Sequence, residues 1–122
     1  MPWSKIKVTV DEPDFYHEEG RSQRRLSYPE SIREALDLSL ALDHNVFIMG
    51  EGVDDTGGMF GATLNLHKKY GKERVFDTPL AENGLTGIAI GSAIGGMRPV
   101  FFHNRPDFLL LAMDQLVNHA AK

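Results

Sequence analysis

Between Asp77 and Met97 the chain carries one acid, Glu82, and no base. Behind it come Gly84, Gly87, Gly91, Gly95 and Gly96, set among Leu, Ile and Ala. Gly87, Gly91 and Gly95 recur four apart and Gly84 lies one turn earlier, so in a helix they share one side. Each glycine costs a helix about 1 kcal/mol relative to alanine. Close approach of another backbone or helix to the bare face would offset that cost. The neighbour is either the rest of the same domain or a helix of a partner subunit. Glu82, at the mouth of this helix, also has two readings. It complements the positive end of the helix dipole, worth a few tenths to about 1 kcal/mol, or it handles a proton where water is scarce. Desolvation disfavours an ionised carboxyl, which lets such an acid share a proton with a weak base.

The flanking sequence predicts the elements that position this acid. "SYPE", with Ser27 three residues before Glu30 and a proline in the first turn, is a capping-box signature. Ile32, Ala35, Leu36, Ser39 and Leu40 then recur at helical spacing and predict a helix to about Leu42. "NVFIMG", Asn45 to Gly50, is a short apolar run that suits a strand buried on both faces. A glycine-rich loop, "GEGVDDTGGMFG", precedes a helix predicted over "ATLNLHKKY" and stopped at Gly71, with lysines in its last turn. "RVFDTP" reads as a strand, 83–96 as the glycine helix, "RPVFFH" as a strand and "PDFLLLAMDQLVNHAAK" as a final helix. Strand and helix alternate, so the expected class is α/β, a mostly parallel sheet flanked by helices. Three parallel strands leave two edges bare, so the domain is expected to be incomplete at its carboxyl end.

Composition bounds the function. The chain has 122 residues, 42% hydrophobic and 25% charged, which is room for about one globular domain. Net charge is −4 and the isoelectric point near 5.7, without the basic stripe of a nucleic-acid binder. No stretch is long and apolar enough to span a bilayer, so no membrane partner is expected. Residues 1–26 hold five basic and five acidic side chains and only a short alternation at Ile6, Val8 and Val10. We read them as an extended amino-terminal arm, with residues 27–122 forming the domain. With no cysteine there are no disulfides or Cys-based metal sites, which suits a reducing cytoplasm. The amino terminus has neither an apolar signal core nor a transit-peptide bias. "HEEGR" lacks the second histidine of a zinc-protease motif, "GEGVDD" the third glycine of a dinucleotide fingerprint, and the five histidines show no ligand spacing.

The spacing from Glu82 through Gly87 and Ile88 to Gly91 matches a signature of thiamine-diphosphate enzymes. Around it, "VFDTPLAENGLTGIAIGSAIGGMRPV", "AMDQLVNHAAK" and "VFIMGEGV" resemble the beta subunit of 2-oxoacid dehydrogenases, in the transketolase-like pyrimidine-binding domain. The resemblance runs from about Leu26 to Lys122. It implies that Glu82 hydrogen-bonds a ring nitrogen of the cofactor's aminopyrimidine and so promotes removal of the proton from the thiazolium carbon. It implies that Phe108 packs on the pyrimidine face, that Leu80 lines the pyrimidine pocket, and that Glu51 belongs to a proton path between paired active sites. Asn104 and Arg105 lie at a strand's carboxyl end, where α/β folds place ligands; Arg105 reads as a surface arginine or as a partner for an anion.

The resemblance further implies oxidative decarboxylation of a small 2-oxoacid, with the acyl group passed to a lipoyl-bearing acyltransferase. An alpha subunit and a second beta subunit are the implied partners. The Gly-Asp-Gly motif for diphosphate and magnesium is missing here, so magnesium is expected on the alpha subunit and no metal on this chain. The chain departs from better-known beta subunits at "FFHNRPDF", from Phe101 to Phe108, a difference that bears on substrate choice. A piece of a single-chain transketolase or deoxyxylulose-phosphate synthase, and a non-catalytic interaction fragment, remain the alternatives.

Overall fold

A computed structural model describes residues 26–122. The arm expected over residues 1–26, apart from Leu26, and the alternation at Ile6, Val8 and Val10 lie outside the described residues. Helix α1 (Tyr28–Leu42) begins where the capping signature puts it. The Ser27 N–H and hydroxyl both donate to Glu30 Oε2, at 2.8 and 2.7 Å. Pro29 occupies the first turn, where a missing N–H costs nothing. Of the predicted face, Leu36 and Leu40 are buried and Ile32 packs against the core.

Strand β1 (Val46–Gly50) is the centre of a three-stranded sheet ordered β2-β1-β3, with β2 (Val75–Asp77) and β3 (Arg98–Phe102) both parallel to it. Period-2 alternation divides its side chains between two layers. On one face Val46, Ile48 and Val75 join Leu36 and Leu40 of α1, Val53, Met59 and Leu66 in a single core cluster, with Val100 and Phe102 packed against it. On the other face Phe47 stacks on Phe76, ring centroids 5.9 Å apart. There Pro99, Phe101 and His103 border a groove shared with the helix after β2 and with the final helical segment. Helices on both faces of a parallel sheet are the arrangement its apolar runs demand.

Three connections differ from the sequence expectation. The helix predicted from Ala62 starts only at Leu66, as α2 (Leu66–Tyr70). Phe60 and Asn65 take left-handed backbone angles, and the buried Thr63 hydroxyl accepts the Met59 N–H at 2.8 Å, so residues 51–65 wind as successive turns. The glycine helix, α3 (Glu82–Ile94), starts at Glu82 itself. The final segment is helical over 106–120 but not uniform. It opens as α4 (Pro106–Leu109), tightens to a 3₁₀ turn over Leu110–Ala112 and widens to a π turn over Gln115–Ala120.

Polar ties fix the layers from outside. Arg74 donates through Nε and Nη2 to the Val46 carbonyl and through Nη2 to the Asp43 carbonyl, pinning the approach to β2 against the start of β1. Asp43 also pairs with Arg98 at 3.0 Å, which holds the start of β3. Between α1 and α2, Asp37 accepts from Lys69 at 2.7 Å and from the Tyr70 hydroxyl at 2.6 Å. The Lys69 hydrogen bond, and then that of Tyr70, hold the Asp37 carboxyl below its ordinary value. A carboxyl lowered on folding adds stability above its unfolded pKa, and that contribution is lost as pH falls through the folded value. Asp37→Asn should therefore lower the thermal midpoint at pH 7, and the gap to wild type should close on acidification below about pH 4. Melts at several pH values check this; a gap independent of pH would assign the effect to packing.

Candidate active site

The strand order dictates where a ligand can sit. From β1 the chain crosses to β2 on one side, then returns past β1 to β3 on the other. The crevice beyond the carboxyl ends of strands at such a reversal is where open α/β sheets bind ligands. Gly50 pairs with Phe102 in the register, so the residues that follow them, Glu51 and His103, emerge side by side.

A recess forms at this point, open at its mouth, with a cavity of about 20 Å³, room for about one water. Glu51 follows β1 and borders it. Thr78 and Leu80 come from the β2–α3 connection, Glu82 from the first turn of α3, His103 and Asn104 from the end of β3, and Phe108 from α4. The four residues singled out from the sequence, Glu51, Leu80, Glu82 and Phe108, thus border one recess. Leu80 is 70% exposed, on the rim; Glu51, Glu82 and Phe108 are half-buried. Glu82 opens a 13-residue helix whose cap residue, Ala81, supplies no side-chain hydrogen bond. The free N–H groups of that first turn favour negative charge in the recess.

Three further side chains belong to the site, two of which the sequence reading passed over. Thr78 is 7% exposed, and its hydroxyl is buried without a protein partner. Its signal was its place four residues before Glu82, at the end of β2. His103 lies 4.4 Å from the Phe101 ring, centroid to centroid, and borders both the recess and the apolar groove beneath α3. Its signal was strand parity: two residues after Phe101, it faces the same layer. Asn104, which the reading did mark, has a side-chain oxygen buried without a protein partner. Arg105 instead lays its guanidinium over the Phe108 ring, 4.8 Å from the centroid. Among the described residues no three His, Asp or Glu side chains converge as a metal site.

The glycine face of α3 divides. A Cβ on Gly87 would meet Gln115 Oε1 at 3.0 Å, so that glycine admits the final helical segment. Gly84 and Gly91 have nothing within 4 Å of where a Cβ would stand, and Ile88 between them is 58% exposed. Among the described residues, approach of another element thus accounts for Gly87 but not for Gly84 or Gly91.

An acid at a helix mouth, two unpaired buried oxygens and an aromatic ring thus meet at one recess, and the oxygens call for hydrogen-bond donors. The fold and this recess define an α/β domain with a parallel sheet and a recess at the carboxyl ends of its strands. The family described as transketolase, pyrimidine binding domain, matches residues 24–122, and the chain belongs to it. It is 48% identical over 91 residues to the pyruvate dehydrogenase E1 component subunit beta of Gracilaria tenuistipitata var. liui, covering 75% of this chain and 28% of that one. It is 42% identical over 97 residues to the 2-oxoisovalerate dehydrogenase subunit beta of Bacillus subtilis (strain 168), covering 80% and 30%. Against the mitochondrial pyruvate dehydrogenase E1 component subunit beta of Rattus norvegicus the identity is 37% over 107 residues, covering 88% and 30%. The chain therefore spans less than a third of the length of these relatives. Among the described residues no helix is long and apolar enough to cross a membrane.

Burial lowers the His103 imidazole below its ordinary value, against the opposing pull of the Glu82 carboxylate. A histidine lowered on folding binds its proton more readily when unfolded. Its contribution to stability is therefore full above about pH 6.5 and falls as pH drops through that value. Denaturant midpoints between pH 7.5 and 5.5 should fall less steeply for His103→Gln than for wild type; parallel slopes would show an imidazole in ordinary solvent.

Proposed function

We propose that the chain is the pyrimidine-binding portion of a beta-type subunit of a thiamine-diphosphate-dependent 2-oxoacid dehydrogenase. The observation that carries this reading is the meeting of Glu82, Leu80 and Phe108 with the unpaired oxygens of Thr78 and Asn104 around one recess. Those oxygens match the N–H groups of an aminopyrimidine, whose ring would lie across the open mouth of the recess. Glu82 would hold a ring nitrogen, Phe108 would cover a ring face, and Leu80 would close the rim against water. Glu51, beside the β3 end, would extend the acidic path toward a neighbouring site. The cofactor, when bound, supplies the stabilised carbanion that decarboxylation of a 2-oxoacid requires. The chain's own part is to orient the ring and to hold or release a proton at the Glu82 carboxyl.

The remaining roles follow from the same reading. The 2-oxoacid is oxidatively decarboxylated and its acyl group passes to a lipoyl-bearing acyltransferase. An alpha subunit holds the diphosphate and magnesium, and a second beta subunit completes the assembly. Cytoplasmic placement accords with the lack of cysteine. The open stretch of α3 at Gly84, Ile88 and Gly91 supplies a surface of the right kind for subunit contact. Gly91→Leu should weaken association by roughly 1–3 kcal/mol through overpacking, read by sedimentation of the assembly. The free chain should melt no lower than wild type, since leucine is the better helix former. A loss confined to the free chain's own stability would remove Gly91 from the interface.

The test of function is Glu82→Gln in the assembled enzyme. The amide keeps shape and hydrogen bonding but not the titratable carboxyl. Loss of acid–base help of this kind costs on the order of 10²–10⁴ in rate. Deuterium exchange at the cofactor's thiazolium carbon should slow by such a factor while the thermal midpoint barely moves. Equal exchange in mutant and wild type would return Glu82 to a helix-dipole role and remove the main support for catalysis.

A further inference from the structure

Of the two unpaired oxygens at the recess, those of Thr78 and Asn104, neither has yet been given a particular atom of the ligand. Asn104 follows β3 at a bend, and its Oδ1 is shut off from solvent with no hydrogen-bond partner in the protein. An amide oxygen carries two lone pairs, and a buried oxygen left unpaired is costly enough that native structures almost always complete it. Asn104 borders two adjoining cavities, the recess of Glu82 and Phe108 and the one beneath the glycine-rich loop. The second is lined by Glu51, Asp55 and Asp77. Only a hydrogen-bond donor completes this oxygen, and the acids that border both cavities favour a neutral or cationic donor, such as an amine N–H, at this edge of the recess.

We propose that Asn104 is a cofactor-positioning residue whose Oδ1 accepts a hydrogen bond from the exocyclic amine of the aminopyrimidine. The proposal rests on the thiamine-diphosphate reading and adds a contact to it. An aminopyrimidine carries both groups the recess calls for, a ring nitrogen for the Glu82 carboxyl and an amine N–H for Asn104. Two contacts at different atoms fix the ring's rotation in its plane, which a single carboxyl contact leaves free. Phe108 covers the ring face and so sets the plane itself.

Binding to two ligands tests this. Thiamine diphosphate and its analogue with oxygen in place of the amine are titrated by calorimetry, with magnesium, into the assembled wild-type, Asn104→Leu and Asn104→Asp enzymes. Asn104→Leu should weaken thiamine diphosphate about 5- to 10-fold, the worth of one hydrogen bond, and leave the oxygen analogue within about twofold of wild type. Asn104→Asp keeps an acceptor oxygen and should keep the preference for the amine. The ligand-free Asn104→Leu protein should melt no lower than wild type, because an apolar group replaces an unpaired buried one. Equal weakening of both ligands, or none, overturns the proposal; a lowered ligand-free midpoint with equal weakening makes Asn104 structural. Wild-type enzyme that binds neither ligand overturns the thiamine-diphosphate reading and the proposal with it. Wild type that binds while Asn104→Leu is unaltered overturns the proposal alone.

Discussion

The contact between Gly50 and Phe102 holds the site together. A Cβ on Gly50 would stand 2.7 Å from the Phe102 carbonyl oxygen and 2.8 Å from its Cβ, so no side chain fits there. This close approach occurs at the carboxyl ends of β1 and β3, at the reversal of strand order. It brings the residues after β1 and after β3 to one place without any loop having to reach. Glu51 arrives from one side, His103 and Asn104 from the other. The β2–α3 connection then needs only to deliver Glu82 across the gap.

The two layers around the sheet are unequal, and the site lies on the looser one. On the α1 face Leu40, Ile48, Val53 and Val75 are at most 1% exposed and form one dry cluster. On the other, α3 buries only Thr86 and Ala89, and Leu110 and Leu111 on the final segment are 68% and 60% exposed. The tight layer anchors the strands whose carboxyl ends border the recess. The looser layer carries Glu82 and Phe108, the groups that must answer to a ligand. Division of this sort is expected where binding elements are drawn from the less stable end of a fold.

The fold was legible where one residue type admits one conformation. Ser27 and Glu30 marked the start of α1, the unbroken run from Val46 to Gly50 marked a strand covered on both faces, and the alternation of elements gave a parallel sheet. It was less legible where side chains compete with backbone. The Thr63 hydroxyl takes the Met59 N–H and Asn65 turns left-handed, so residues 62–65 do not join α2 despite helix-forming neighbours. The uneven turns of the final segment have no local signal, and nothing in the structure explains the wide turn. For the site, Glu82 stood out because it is a lone charge beside glycines. Thr78 and His103 did not, because a threonine after a strand and a histidine in an aromatic run are ordinary until strand order places them together.

The strand order has one more effect, on the life of the chain before it meets anything else. Among the described residues β2 and β3 both lie at sheet margins, where each has a neighbour on one side only. An open strand margin is the kind of edge on which copies of a chain can pair, and Ile88, Leu110 and Leu111 add exposed apolar surface. Sticking to copies of itself grows with the square of concentration, whereas capture by a different, abundant chain grows only in proportion. The outcome for such an edge then depends on how soon a covering surface appears. Slow, dilute synthesis beside that surface favours correct assembly, and rapid accumulation alone favours precipitation.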